Sequence, residues 1–235
     1  MRVEAIIAKL RIPFFSIKRY DTYQISYSYI FLMPSTIVGS VGSSLALLGE
    51  CKGEDCINLA RKIVKKAREY FPRKITFSKS PVILKRVRGM LEDKKMPKSL
   101  AEFFSSSDAL VREYVVSEER NILILTDKPS PIIEAVKIME RLGDSESLLS
   151  VIDVKESEIG ECEKEDGVNV MIKNEIVSQE TRGEQITVDG FDELGKKSAF
   201  YIPVEVKGYS IKPSPIKTSK VMCAADAVFP EGDNW

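Results

Sequence analysis

Hydrophobic residues occupy both sides of an extended segment near the beginning of the chain. Over residues 2–11 the apolar side chains of RVEAIIAKLR fall on both sets of alternate positions. This pattern predicts a strand that is partly buried on both faces. A basic and aromatic loop, FFSIKRYDTYQISYSYIF, follows. Pro34 and Ser35 then suit the first positions of a helix, so we expect the order strand, loop, helix.

The helix that begins at Pro34 has two different faces. Apolar residues at helical spacing form one face, namely Ile37, Val38, Val41, Leu45 and Leu48. Small residues form another face, namely Gly39, Gly42, Ser43 and Ala46. A neighbouring backbone or a phosphate can approach such a surface closely. Gly39 and Gly42 also match the GxxG pattern of KH loops, but KH glycines lie between helices, and close helix packing is an equal interpretation.

The clearest helical period in the chain runs from Cys56 to Phe71. Its apolar stripe consists of Cys56, Leu59, Ala60, Ile63, Val64, Ala67 and Phe71. Pro72 is expected to end this helix. Basic residues cover the opposite face, namely Arg61, Lys62, Lys65, Lys66 and Arg68. A basic face of this kind indicates a solvated surface more often than an RNA site.

The next part of the chain alternates between strands and helices. Strands are predicted at 73–89, 111–117, 120–126 and 148–156, a helix at about 130–142, and an irregular segment at 90–110. The order strand, helix, strand, strand, helix, strand is the split βαβ pattern of ferredoxin-like and RRM folds. The predicted fold class is therefore α+β. The pattern leaves open whether the strands at 111–117 and 120–126 are separate or form one long bent strand.

After residue 156 the sequence becomes richer in glycine and acidic residues. Short strands there predict a small β-rich lobe, followed by an extended, proline-bearing segment. We therefore expect a ferredoxin-like domain over 1–156, with an insertion at about 90–110, and the smaller β-rich lobe with its extended segment over 157–235.

Charge is unevenly distributed, although basic and acidic residues both number 35. Residues 1–100 contain 20 basic and 8 acidic residues, a balance of +12, and residues 101–235 contain the remaining 15 and 27, a balance of −12. This division suits a basic half that faces a polyanion and an acidic half that faces protein or solvent. No window approaches the roughly 18–20 apolar residues of a membrane span, and the charged start is unlike a signal peptide. We therefore expect a cytoplasmic protein.

The chain contains no histidine. Because imidazole is the usual general acid or base near neutral pH, Ser-His-Asp and Cys-His catalysis and histidine metal sites are excluded. The four cysteines, Cys51, Cys56, Cys162 and Cys223, include no C-x-x-C pair, and we interpret them as free small hydrophobes or surface thiols. The carboxylates between 144 and 166 lack the spacing of a calcium loop, so we expect neither a metal nor a cofactor.

The loop before the first helix is rich in tyrosine. Four of the eight tyrosines lie between Tyr20 and Tyr29, next to Lys18 and Arg19. Rings beside fixed cations suit single-stranded nucleic acid, because bases stack on rings while phosphates need cations. An equal alternative is that four of the rings alternate into the core as part of a hairpin, namely Tyr23, Tyr27, Tyr29 and Phe31. Lys18, Arg19 and Tyr20 precede this alternation and are the better candidates for RNA contact.

Three segments together resemble a known family. They are the strand, long loop and P-S-T-I-V-G-x-x-G helix start, then REYVVSEERNILIL at 112–125, then YIPVEVKGYSIKPSPI at 201–216. In this order they resemble the RAMP-type CRISPR proteins. Among these the chain is most similar to the Cascade subunit family that holds the 5′ handle of the crRNA, family five in the CRISPR-associated numbering, of the archaeal I-A kind.

The resemblance implies a non-catalytic RNA-binding subunit of a type I CRISPR effector complex in antiviral defence. Its partners would be the crRNA, the large subunit and the backbone subunits, with no membrane and no small-molecule substrate. The insertion at 90–110 would form a thumb that separates handle from guide. The candidate RNA-binding residues are Lys18, Arg19, Tyr20, Tyr23, Ser35, Gly39, Gly42, Lys85, Arg86, Arg88, Lys94, Lys95 and Lys98. Arginine and lysine would neutralise phosphates, and rings would stack on splayed bases.

Two other functions are compatible with the residues. A metal-independent endoribonuclease acting on repeat RNA needs a general base and a general acid, and without histidine these roles would fall to Tyr20 or Tyr23 with Lys18. Tyrosine and lysine have reference pKa values near ~10, which match neutral pH poorly. An RRM-like RNA-binding protein outside CRISPR explains the charge and the fold, but it leaves the segment 201–216 unexplained.

Overall fold

The structure is a computed structural model. It describes residues 3–22, 25–87, 98–105, 107–162, 167–174, 186–217, 220–232 and 235, with backbone alone for 84–87, 103–105 and 107–110. The protein is a mixture of helices and strands, as the sequence predicts. No helix within these ranges is long and apolar enough to cross a membrane.

The helices and strands follow one another in this order: β1 (Glu4–Arg11), β2 (Phe14–Phe15), β3 (Ile25–Ser26), α1 (Pro34–Leu47), α2 (Asp55–Ile63), β4 (Val64–Tyr70), β5 (Ile75–Val87), α3 (Leu100–Ser105), β6 (Ser107–Ser117), β7 (Glu119–Thr126), α4 (Pro129–Lys137), β8 (Ser150–Ser157), β9 (Gly160–Glu161), β10 (Ile172–Lys173), β11 (Ile186–Phe191), β12 (Lys197–Ile202), β13 (Val204–Lys207), β14 (Ser210–Pro213), β15 (Val221–Ala224) and β16 (Ala227–Pro230). The strands predicted at 2–11, 73–89 and 148–156 correspond to β1, β5 and β8, and the helix predicted from Pro34 corresponds to α1.

The central sheet has four antiparallel strands in the order β4-β7-β1-β8. Strand β1 is buried on both faces, as its pattern predicts. Ile6, Ala8 and Leu10 belong to the hydrophobic cluster that contains α1, α2 and α4. Ala5 and Ile7 belong to a second cluster on the opposite face. Removing apolar surface from water on both faces makes this strand the centre of the core.

A second sheet, which we call the arm sheet, has the order β13-β14-β5-β6-β2, and the short strand β3 pairs with β6. Its main feature is the long β5–β6 hairpin, which is paired from Phe77 and Ser117 outward to Val87 and Ser107. Strands β6 and β7 lie in different sheets with Glu118 between them. The sequence leaves open whether 111–117 and 120–126 are separate strands or one long bent strand, and the structure has two separate strands.

The later part of the chain forms two three-stranded sheets, β10-β12-β11 and β16-β15-β9. Its residues enter both hydrophobic clusters. Phe200 and Ile202 pack with the residues of α1, while Tyr201 and Trp235 pack against the opposite face of the central sheet. The division of the chain at residue 156 stays a prediction.

The helix predicted from Cys56 to Phe71 is wrong in its second half. Helix α2 ends at Ile63, and Val64 already has extended backbone angles. Residues Val64–Tyr70 instead form edge strand β4, which pairs with β7 through a bulge near its beginning. Lysine, alanine, arginine and glutamate favour helices locally, but the open edge of β7 supplies backbone partners that a local period cannot reveal.

The basic face predicted for that helix is also wrong in part. Arg68 is completely buried and pairs with Glu193. Lys65 stays half exposed and pairs with Asp127. A strand directs successive side chains to opposite faces, so residues that would share a helical face separate.

Two further segments differ in extent from the prediction. The segment 90–110 is not irregular throughout, because α3 occupies Leu100–Ser105 and β6 begins at Ser107. Residues 88–97 and 106 lie outside the described residues. Helix α4 ends at Lys137, earlier than the predicted 142, and a tight turn follows in which the Met139 amide donates to the Val136 carbonyl.

The cysteines are not free thiols. Cys51 and Cys56 form a disulfide across the α1–α2 connection. Cys162 and Cys223 form a second one, which joins the residue after β9 to its neighbour strand β15. The second pair is separated by 61 residues along the chain. Spacing could not reveal this pair, because the sheet alone brings the two cysteines together.

We expect the two disulfides to contribute unequally to stability. In the chain-entropy account, a link that closes 61 residues stabilises by about 4 kcal/mol, and one that closes five residues by about 2 kcal/mol. Replacing Cys162 and Cys223 by serine should therefore lower the free energy of unfolding more than replacing Cys51 and Cys56. Denaturant titration of the two double variants measures this. An equal or reversed loss would contradict the prediction.

Candidate nucleic-acid interface

A buried ion pair positions the start of helix α1. Glu69 on β4 and Arg120 on β7 are both completely buried, with 2.8 Å between Arg120 Nη1 and Glu69 Oε1. The Leu32 amide donates to Glu69 Oε2 at 2.7 Å, and Arg120 Nη2 donates to the Ile30 carbonyl. The pair therefore holds the backbone on both sides of Phe31, directly before the helix begins.

Each charge of this pair supports the other. Burial raises the pKa of Glu69, and the positive charge of Arg120 opposes that rise. Burial likewise lowers the pKa of Arg120, and the negative charge of Glu69 opposes that fall. Arg120 also lies over the ring of Phe15, with its guanidinium carbon 5.3 Å from the ring centre. The pair thereby connects strand β2, the loop before α1 and the central sheet.

The exposed side of α1 forms a concave surface with two neighbouring segments. Two adjoining hollows, of about 310 and 420 Å³, share Thr36 and Gly143. We call this the helix-α1 surface, and it contains Lys18, Ser35, Thr36, Gly39, Ser40, Ser43, Arg112, Arg141 and Gly143. It brings together the predicted residues Lys18, Ser35 and Gly39.

The helix-α1 surface is electropositive. Lys18, Arg112 and Arg141 line it together with Asp144, and Glu146 adds a second carboxylate beside Arg112. Arg112 Nη1 lies 2.6 Å from Asp144 and 3.2 Å from Glu146, whereas Lys18 and Arg141 are exposed and make no ion pair within the described part of the chain. Among the described residues no side chain caps the N-terminus of α1, and the positive end of a helix dipole attracts anions. Phosphate groups match this combination.

A tight turn holds two of the cations in place. Gly143 has φ = +122°, and a Cβ there would lie 2.8 Å from the Ser16 carbonyl oxygen, so the position requires glycine. The Asp144 amide donates to that same carbonyl at 3.1 Å, and the Ser16 amide donates to Ser147 Oγ at 2.9 Å. The turn after Arg141 is therefore attached to the strand segment that leads to Lys18.

The two predicted glycines of α1 have different surroundings. A Cβ on Gly39 would meet nothing within 4 Å, so Gly39 lies at the open surface. A Cβ on Gly42 would lie 3.2 Å from the Cys56 carbonyl oxygen and 3.3 Å from Ile57 Cα. Of the two interpretations offered by the sequence, close helix packing therefore applies to Gly42, where α1 contacts α2.

Arg19 and Tyr20 lie apart from the helix-α1 surface and line another cavity. Arg19 makes a two-pronged contact with Asp21, at 3.1 and 2.7 Å, and this hydrogen bonding raises the pKa of Arg19. The Tyr20 hydroxyl donates to Asp189 at 3.2 Å, and the Nζ of Lys197 lies 4.2 Å from the centre of its ring. Both side chains are already engaged within the protein.

The tyrosine-rich loop divides between core and surface. Tyr29 and Phe31 are buried, as the hairpin alternative requires, whereas Tyr27 is exposed. The Tyr29 hydroxyl donates to the Asp189 carbonyl at 2.6 Å, and burial raises the pKa of Tyr29 to about 12. Tyr23 lies outside the described residues.

The remaining candidate residues belong to the β5–β6 hairpin and its surroundings. Lys85 and Arg86 lie on β5 and pair through their backbones with Ala109 and Asp108. Lys98 is exposed, and its amide donates to Glu102 at 2.8 Å, just before α3. Three others, Arg88, Lys94 and Lys95, lie outside the described residues.

Sequence reasoning missed Arg112 and Arg141. Arg112 lies within a predicted strand, and no local pattern distinguishes it from other exposed strand cations. Arg141 lies at the predicted end of a helix, and the following Leu142-Gly143 is a common signal for a turn after a helix. That signal locates the turn, but only the fold brings the turn next to Lys18.

Comparison with known proteins shows a shared fold and then the family. No protein-family model matches the chain. Its fold is shared with a CRISPR protein from Archaeoglobus fulgidus, at a TM-score of 0.55 over 97% of both chains with 9% identity. This likeness shows a shared fold.

The family follows from two relatives. The chain is 36% identical to the CRISPR-associated protein Cas5 of Thermoproteus tenax over 230 residues, 97% of this chain and 98% of that protein. It is 33% identical to Cas5 of Methanocaldococcus jannaschii over 173 residues, 68% and 67% of the two chains. The chain belongs to the Cas5 family, which confirms the resemblance seen in the sequence.

We expect valine substitution to distinguish the two glycines of α1. Gly42→Val should lower the free energy of unfolding by about 1–3 kcal/mol, because the added carbons press on the backbone of α2. Gly39→Val is the matched control and should cost little, because that Cβ points into open space and valine has a higher helix propensity than glycine. Thermal or denaturant unfolding measures both. Equal losses would show that Gly42 is not a packing contact.

Proposed function

We propose that this Cas5 protein is a non-catalytic RNA-binding subunit of a type I CRISPR effector complex, Cascade, and that it binds the 5′ handle of the crRNA. The observation that carries this proposal is the helix-α1 surface, which presents Lys18 and Arg141 beside the N-terminus of α1, both exposed and without an ion pair among the described residues. Cas5 family membership favours this role over an RRM-like RNA-binding protein outside CRISPR.

The chemistry of the helix-α1 surface supports contact with the RNA backbone. Arginine and lysine neutralise phosphates, and hydroxyl groups add hydrogen bonds to phosphate and sugar. Ser35 and Thr36 in the first turn and Ser43 further along α1 supply hydroxyls. Gly39 has no side chain and lets a backbone approach the helix closely.

The architecture supports a ferredoxin-like core. The sheet order β4-β7-β1-β8, with all neighbours antiparallel, corresponds to the order that two interlocked split βαβ units produce. Helices α1 and α2 connect β1 to β4, and α4 connects β7 to β8. We propose that residues 1–156 form this ferredoxin-like domain and that 157–235 form the smaller lobe.

We further propose that the β5–β6 hairpin carries the thumb. The segment 90–110 includes the connection between these strands, and Lys85, Arg86 and Lys98 lie at its base. Val82 and Ile83 on β5 are exposed, and exposed apolar residues on a projecting hairpin suit contact with another protein. In this proposal the thumb contacts the adjoining backbone subunit, and the protein as a whole also contacts the large subunit of an I-A complex.

The competing proposal is a metal-independent endoribonuclease. It would need Tyr20 or Tyr23 to act with Lys18. Tyr20 donates its hydroxyl to Asp189 and lines a different cavity from Lys18. A general acid–base pair must reach the same reacting group, so the separation of these two residues favours the non-catalytic proposal.

We expect charge reversal on the helix-α1 surface to weaken RNA binding. Lys18→Glu and Arg141→Glu should each reduce affinity for a crRNA. Each phosphate that the protein no longer neutralises should reduce the slope of log K against log salt by about 0.7. Fluorescence anisotropy at several salt concentrations measures both quantities.

Lys196→Glu provides the matched control, because Lys196 is exposed on the turn before β12 and lies outside the helix-α1 surface. This control should keep the affinity and the slope of the unchanged protein. Equal losses in all three variants would show that general charge, rather than this surface, binds the RNA.

We also expect the purified chain to leave repeat RNA intact. The chain has no histidine, and Tyr20 donates its hydroxyl to Asp189 in a cavity that Lys18 does not line. Incubation of labelled repeat RNA with the protein, with and without EDTA, tests this. A specific cut that leaves a 2′,3′-cyclic phosphate and disappears in Tyr20→Phe would contradict the non-catalytic proposal.

A further inference from the structure

A second cavity lies on the opposite face of the arm sheet from the helix-α1 surface. Its volume is about 460 Å³, within the roughly 300–1,000 Å³ that is common for small-ligand sites. Lys79 on β5 lines it and stands opposite Val115 of β6. Arg112, three residues before Val115, therefore points to the other face, where it belongs to the helix-α1 surface.

The walls of this cavity are apolar and come from separate segments. Four partly exposed aliphatic side chains pack on the core and line the cavity, namely Ile30, Ile186, Val188 and Val206. The loop before α1, β11 and β13 supply them. Tyr20 contributes ring surface that is about a third exposed, at 36%. Such walls accept a flat apolar face.

The rim is polar but electrically balanced. Arg19 and Lys79 supply two positive charges, and Asp21 and Asp189 supply two negative charges. Arg19 is paired with Asp21, and Lys79 is paired with Glu113 at 3.0 Å. Cations that are already paired have little to offer a phosphate, which separates this cavity from the helix-α1 surface.

The rim nevertheless keeps hydrogen-bonding capacity. A guanidinium has five donors and an ammonium three; Arg19 directs two of its donors to Asp21, and Lys79 directs one to Glu113. Their side chains remain 46% and 40% exposed. The aliphatic side chain of a protein partner would bury the remaining donors of Arg19 and Lys79 without accepting a hydrogen bond from them, and burying an unsatisfied donor costs free energy. A planar ligand with polar edges would use both the walls and the rim.

We propose that this cavity accepts one unstacked nucleobase of the bound RNA. The inference rests on the proposed RNA-binding function and extends it from the phosphates to a base. A base is neutral, presents a flat apolar face and carries donors and acceptors on its edges, and proteins commonly recognise bases splayed out in this way. The arm sheet and the loop before α1 would then contact phosphate on one side and a base on the other.

The experiment fills the cavity and removes bases one at a time. Thr187 is exposed on β11 and lines the cavity, so Thr187→Trp should occupy it without disturbing the core. Ser214→Trp is the matched control, because Ser214 is exposed and does not line this cavity. Affinity is measured for an intact crRNA and for a series in which each handle nucleotide in turn lacks its base. Thermal unfolding verifies that both variants are folded.

We expect one abasic position to reduce the affinity of the unchanged protein by roughly 10-fold or more, the size expected when one stacked base is removed. Thr187→Trp should reduce the affinity for intact RNA by a similar factor, and removing the base at that position should not reduce the affinity of this variant any further. Ser214→Trp should have the affinities of the unchanged protein for both RNAs. As an independent measurement on the unchanged protein, 4-thiouridine at that position should crosslink to the segment 186–189 or 19–21.

The outcomes separate this inference from the function on which it rests. If Thr187→Trp binds intact RNA as well as the unchanged protein, or if the abasic effect persists in the variant, the cavity holds no base although RNA binding stands. A crosslink to another segment would likewise show that the cavity holds no base. A protein side chain that fills the cavity in the assembled complex would show the same. If the unchanged chain binds no crRNA, both proposals are wrong.

Discussion

The buried pair of Glu69 and Arg120 is the constraint on which both the helix-α1 surface and the second cavity depend. Removing two charges from water is costly, and the cost is offset only when the geometry and the accompanying hydrogen bonds are good. Here the same two side chains also bind the backbone at Leu32 and Ile30. The loop before α1 therefore cannot shift without leaving buried charged groups short of a hydrogen bond, which costs about 1–3 kcal/mol or more for each group. This rigidity fixes both the direction of α1 and the wall of the second cavity.

The arm sheet separates two environments of different charge. On one face, Lys18 and Arg141 are exposed beside the start of α1. On the other face, Arg19 and Lys79 are each held by a carboxylate. Lys18 and Arg19 are adjacent in sequence, yet extended backbone directs neighbouring side chains to opposite sides. A strand-like loop can thus serve a polyanion and a neutral ligand at once.

The later part of the chain completes the second of these environments. Strands β11 and β13 supply aliphatic side chains to the cavity. The buried contact of Arg68 with Glu193 and with the Trp235 carbonyl attaches this part to strand β4. The Cys162–Cys223 disulfide joins the residue after β9 to β15. The cavity itself is lined by segments that are far apart in the chain.

The local sequence pattern alone determined the elements that carry their own signal, which is a helix start with an apolar period or a strand with apolar residues on both faces. Apolar residues on both sides of 2–11 predict β1, Pro34 and the following period predict α1, and the order of three segments identifies the family. The same reasoning predicts Lys18, Ser35 and Gly39 as RNA-binding residues, and the structure places these three on one surface. Only the tertiary structure decided that Val64–Tyr70 is a strand, that Gly42 is a packing contact, that the cysteines are paired, and that Arg112 and Arg141 join Lys18. In each case the deciding partner is an open strand edge, a neighbouring helix, a second cysteine or a distant turn. Each lies outside the element whose period is considered, and that period carries no information about it.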